Sequence, residues 1–109
     1  VNINDLISQT LEPLNIPVKH FKYIGKNTTF IVFQEYLEQG ESYSEDEEEL
    51  TGHYIQVNIF SKTDYTSLVK EVKTRLIGVG FKRQNEYEIY ENDTGFYNRI
   101  LRFYYEEVI

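Results

Sequence analysis

The chain has 109 residues, a formal net charge of −7, 40% hydrophobic and 16% aromatic residues, and no Cys, Met or Trp. That length predicts one domain, residues 1–109, burying roughly 60–70% of its unfolded surface in a single core, with no room for a separate catalytic domain. The acidic balance disfavours gripping nucleic acid or an anionic membrane, since both need Lys and Arg against phosphate, and the lack of Cys excludes disulfides and thiolate chemistry.

In "NINDLISQTLEPLNIP", Ile3, Leu6, Ile7 and Leu11 recur at helical spacing. A helix is expected over Ile3 to Leu11, capped by Asn2 or Asn4 and stopped by Pro13 and Pro17. "VKHFKYIGKNTTFIVFQEY" reads as two strands, Val18 to Tyr23 and Thr28 to Tyr36, with a turn at Gly25 to Asn27. The first is expected at a sheet edge, because it follows a proline and carries Lys19 and Lys22.

From Leu37 to Thr51 the chain carries Glu38, Glu41, Glu45, Asp46, Glu47, Glu48 and Glu49 and no base. Like charges at that density repel and bury little, which predicts a mobile acidic loop between paired strands. "HYIQVNIF" then alternates, with Ile55, Val57 and Ile59 on one face and Gln56 and Asn58 on the other. That is an antiparallel strand with one face in a core.

The best helical pattern follows. Leu68, Val69, Val72 and Leu76 form an apolar stripe after a cap at Thr63 or Asp64, and Gly78 and Gly80 end it. Two last strands, Gln84 to Glu91 and Phe96 to Glu107, are joined through "NDTG", where Gly95 suits a left-handed turn position. The expected architecture is α+β: a single antiparallel or mixed sheet of about four to five strands, with two helices packed on one face.

The residues offer no catalytic set. His20 and His53 are the only histidines, and Ser42, Ser44, Ser61 and Ser67 lie in no nucleophile-elbow context. The acids cluster in one stretch instead of being split between environments, and they lack the spacing and mid-loop glycine of a calcium loop. "GVGF" at Gly78 to Phe81 follows a helix, the wrong polarity for a phosphate cradle. The aromatics of "FYNRILRFYYEE" have the composition of a stacking platform, but in a chain without Trp or Met they are read first as core, with a share left for a subunit interface. Neither a cofactor nor a metal is expected, and the chain is read as a non-enzyme. The absence of Cys suits an intracellular protein, no signal peptide or bilayer-length apolar run is seen, and without Met, Val1 is not expected to be a translation start.

"TTFIVFQEY", "TGHYIQVNIFSKTDYTSLVKEVKTRLIGVGFKR" and "YEIYENDTGFYNRILRFYYEE" together resemble the small tail-completion or tail-terminator (head–tail joining) proteins of long-tailed bacteriophages and Gram-positive prophages. The likeness runs from about Thr28 onward, as strand, "SK-DY", helix, "GF", strand, "D-TG-Y" and a long aromatic-ended strand. It implies a structural virion protein of the tail or neck, assembled in the host bacterial cytoplasm. Such a protein forms a homo-oligomeric ring, commonly a hexamer, that stops tube growth and meets tail-tube and neck (head-completion) proteins.

In that setting Glu45, Asp46, Glu47, Glu48 and Glu49 are lumen candidates that repel passing DNA without binding it. Alternatively, the run orders only against the next ring. Phe60, Tyr65, Tyr97 and Tyr104 are the interface candidates. The rival reading is an acidic monomeric adaptor that mimics nucleic acid and binds a basic protein.

Overall fold

The computed structural model describes residues 1–44 and 47–109, with Tyr43 by its backbone alone. In chain order the elements are α1 (Ile3–Leu11), a one-turn 3-10 helix (Glu12–Leu14), β1 (Val18–His20), β2 (Thr29–Ser44), β3 (Glu47–Ser61), α2 (Thr66–Gly78), β4 (Lys82–Glu91) and β5 (Phe96–Val108). The strands form a five-stranded mixed sheet in the order β1-β2-β3-β5-β4. β1 runs parallel to β2 and the remaining neighbours are antiparallel, which is the expected α+β architecture.

Alternation along the strands decides which face the helices cover. Ile31 and Phe33 of β2, Ile55, Val57 and Ile59 of β3, and Leu101 and Phe103 of β5 point to one side. There they meet Ile3, Ile7 and Leu11 of α1 and Val69, Val72 and Leu76 of α2, with Phe81 beside them. The Asn2 side chain caps α1, accepting from Asp5 N–H at 3.1 Å. At α2 the Asp64 carboxylate, two residues ahead of the helix start, accepts from the backbone N–H and hydroxyl of Thr66 at 3.0 and 2.7 Å. These two bonds hold the Asp64 pKa below the usual carboxylate range. At the other end Gly80, at φ 109, lets Phe81 N–H return to the Leu76 carbonyl.

Two expectations are corrected. The first strand, expected over Val18 to Tyr23, is only Val18–His20, and no simple turn at Gly25–Asn27 joins it to the second. β1 stops after three residues because Phe21 takes φ 73, a left-handed turn that is strained for a bulky side chain, and the chain doubles back to enter β2 parallel to β1. Tyr23 closes this connection by accepting from Asn27 N–H through its hydroxyl and packing its ring on Phe30.

The acidic segment is not a loop over 37–51. β2 and β3 continue as an antiparallel hairpin from Leu37↔Tyr54 to Ser44↔Glu47, leaving Glu45 and Asp46 outside the described residues. Charge density did not decide against strand because many of the acids have donors close by. Glu41 accepts from Tyr54 and Gln39, Glu48 accepts from Thr51, and Glu38 lies beside His53. The exposed remainder is screened by water and salt. The extended hairpin makes the molecule long, 52 × 27 × 23 Å, with a radius of gyration of 15.1 Å, against about 13 Å for a compact chain of this length.

One ion cluster ties α2 to the far edge of the sheet. The Glu86 side chain, 8% exposed, accepts from Lys73 at 2.9 Å, from Arg83, and from both Nε and Nη2 of Arg99 at 2.9 and 2.7 Å. Burial alone would raise its pKa, but the bonds from Lys73, Arg99 and Arg83 outweigh that and hold it at about 2. A depressed folded-state pKa stabilises the fold above the ordinary carboxylate range, and that contribution disappears as pH falls toward about 2. Glu86→Gln should therefore lower unfolding free energy by about 1–3 kcal/mol at neutral pH, by urea titration. The gap between variant and parent should close on acidification toward pH 2, and a constant gap would contradict the assignment.

Candidate functional site

β3 presents different chemistry on its two sides. On the helix-covered side, Ile59, Val57 and Ile55 are followed by His53 and Thr51, which remain buried where the core face runs on into the hairpin. His53 is 4% exposed. Its Nδ1 lies 2.5 Å from Glu35 Oε2 and 3.8 Å from Glu38 Oε1, and its Nε2 lies 2.8 Å from Glu107 Oε1. Glu35 and Glu38 come from β2 and Glu107 from β5, so one ring links three strands.

Three residues apart on a regular strand, Glu35 and Glu38 would point to opposite faces. A bulge prevents this. Glu35 pairs with Ile55 and Leu37 with Tyr54, making Tyr36 the additional residue, so both carboxylates flank His53. Burial pulls the His53 pKa down, but the bonds to Glu107 and Glu35 and the charges of Glu35 and Glu38 more than compensate, and the net shift is upward. A carboxylate at each nitrogen favours the protonated ring, which could donate to both.

Among the described residues, no helix lies over the opposite side of the sheet. At one end Phe30 stacks on Phe60 at 4.8 Å and meets Phe96 edge-on at 5.4 Å, with Lys62 Nζ 4.9 Å from the Phe96 ring. At the other, Tyr54 packs on Tyr104 at 5.0 Å, and the Arg102 guanidinium sits between Tyr36 and Tyr87 at 5.6 and 5.9 Å. A polar ladder joins the two ends: Arg102 donates to Gln56, Gln56 to Asn58, and Asn58 to Asn98. Gly52 supplies the clearance here, since a Cβ at that position would collide with the Glu41 carboxylate and the Tyr104 ring. The Tyr104 hydroxyl is pushed up to about 12 by desolvation and by the nearby Glu106 and Glu41. Tyr36, Tyr87 and Ile89 stay exposed, and the strained turn holds Phe21, 65% exposed, at the border of this face.

The anticipated interface residues divide between the two sides. Phe60 and Tyr104 lie on the uncovered face. Tyr65 and Tyr97 lie on the helix side, ring centroids 6.3 Å apart, lining a shallow open depression with Lys62, Asp64 and Glu88. The Tyr65 hydroxyl donates to Glu88, and its pKa is raised by burial first and then by that carboxylate. Glu47, Glu48 and Glu49 are exposed near the hairpin end, and Glu45 and Asp46 lie outside the described residues.

The histidine–carboxylate cluster was not anticipated. The alternation of "HYIQVNIF" does place His53 on the core face, but nothing in the sequence announces the bulge that turns Glu38 toward it. Replacing His53 by Leu leaves Glu35 and Glu107 without their shared donor. The expected cost is about 1–3 kcal/mol of unfolding free energy, with amide exchange accelerated more in the hairpin than at Leu101. Unchanged hairpin exchange would show that the ring does not hold the hairpin base.

No protein-family model matches the chain, and no curated protein matches it. Among solved structures, one whose printed name states no function superposes with a TM-score of 0.55 at 10% identity, over 100% of this chain and 97% of that one. At that identity the likeness shows a shared fold.

Proposed function

We propose that the chain is a structural subunit of a long-tailed phage or prophage tail, which completes the tail tube and joins it to the neck by closing into a homo-oligomeric ring. The observation that carries this reading is the uncovered sheet face. Phe30, Val32, Phe60 and Phe96, half-buried, and the exposed Tyr36, Tyr87 and Ile89 form an aromatic and aliphatic surface that no helix among the described residues covers. Large apolar patches of this kind on small proteins usually serve an interface. Phe21 agrees with it: a strained residue that leaves an aromatic ring in water contributes nothing to the core.

A cyclic ring needs two unlike patches on each subunit. The uncovered face is one. The rim of Tyr65, Tyr90 and Tyr97 beside the exposed edge strand β4 is the other, and it differs in both shape and polarity. The acidic hairpin extends the long axis of the molecule, and directed into a lumen its carboxylates would repel the phosphates of passing DNA. The sequence resemblance to tail-completion proteins points the same way.

The test is the state of association. The purified chain should form a discrete oligomer by analytical ultracentrifugation, at high concentration or on isolated tail tubes. Tyr36→Glu with Ile89→Glu, two exposed positions, should shift it to monomer with an unchanged circular dichroism spectrum. A parent chain that stays monomeric in both settings overturns the proposal. Salt-sensitive retention of a basic protein by that monomer would support the acidic adaptor in its place.

A further inference from the structure

The geometry points to a divalent transition-metal site of the zinc type, formed by the carboxylates of Glu35 and Glu38 and Nδ1 of His53, with Glu107 orienting the ring from its other nitrogen. One ligand atom from each of the three residues lies within 4.8 Å of the others. Tetrahedral bonds of about 2.0–2.1 Å to nitrogen and oxygen set donors about 3.3 Å apart. Nδ1 to Glu38, at 3.8 Å, is already close to that, and Nδ1 to Glu35, at 2.5 Å, needs to open by less than about 1 Å. The carboxylates can make that adjustment, because the Glu35 and Glu38 side chains are 21% and 60% exposed while the His53 ring is fixed at 5%.

The surroundings fit a metal-bound imidazole. A ligating histidine ordinarily donates its second N–H to a carboxylate, which fixes the tautomer and strengthens the ligand. Glu107 occupies that position at 2.8 Å, on a different strand from either ligating carboxylate. One imidazole with two carboxylates is a nitrogen and oxygen set that suits zinc and its neighbours, whereas calcium and magnesium prefer oxygen alone. Three carboxylates surround one ring, leaving an excess of negative charge that a divalent cation reduces further than a single proton does. The exposure of Glu38 leaves an approach from solvent and room for water as a fourth ligand.

What separates this site from diffuse attraction to the hairpin acids is the bulge at Tyr36, which brings Glu38 to the side of Glu35. Zinc chloride added to the full chain should bind with one equivalent in competition with a calibrated chelator and raise the melting temperature. Histidine-selective NMR should show the His53 ring shifting and His20 unmoved. Glu38→Gln and Glu35→Gln should each weaken binding at least about tenfold, and Glu107→Gln by about 10–100-fold. The triple variant Glu47→Gln, Glu48→Gln, Glu49→Gln should bind like the parent. Glu38 is largely exposed, so its variant should fold normally, which circular dichroism checks. Absence of zinc binding, or binding lost in the triple variant but kept in Glu35→Gln and Glu38→Gln, overturns the site.

Discussion

Burial along one side of β3 is the constraint on which the structure depends. Ile55, Val57 and Ile59 are fully withdrawn from water, and they are the strip against which both helices and both neighbouring strands assemble. At roughly 25 cal/mol per Å² of apolar surface, each such side chain contributes on the order of 1.5–3 kcal/mol. The same alternation that buries those three residues forces Asn58, Gln56 and Tyr54 to the uncovered side and carries His53 into the dry side. The core and both candidate surfaces therefore share one register, and a slip of one residue in β3 would exchange them.

Patterns that reflect short-range geometry could be read before the fold was known. α1 runs over Ile3–Leu11 as its spacing predicts, and the turn at Gly95 adopts φ 76 as its composition predicts. The stripe of Val69, Val72 and Leu76 is the buried face of α2. What escaped the sequence depended on long-range pairing. Acid density argued for a loop at 37–51, yet Glu41 accepts from Tyr54 across the pair, Glu48 accepts from Thr51 and Glu38 lies beside His53, so those acids sit on paired strands. Phe21 carries no compositional sign that it will turn left-handed. The convergence of Glu35, Glu38, His53 and Glu107 requires three strands in a particular order, and adjacency of that kind is not written in any local window.

The two sides of the sheet divide the labour of the molecule. The helix-covered side supplies stability, through its core and through the clamp of Lys73, Arg83 and Arg99 on Glu86. The other side keeps its rings in partial contact with water, tied by a ladder of amides and one guanidinium. Amide and guanidinium groups hold shape in water and can also pair with a partner's polar groups. Such a surface suits both contact with water and close packing against a partner.

The extra residue at Tyr36 makes the hairpin sensitive to parity. Losing that one residue would restore simple alternation to β2 with Glu35 and Glu38 two apart and still on one face, whereas straightening the bulge with Tyr36 retained would turn Glu38 outward, away from the imidazole. Chains descended from a common ancestor could thus trade outer hairpin residues in pairs with little effect. A one-residue insertion between Glu35 and Glu38 that kept the bulge would reverse what this part of the strand shows to each side.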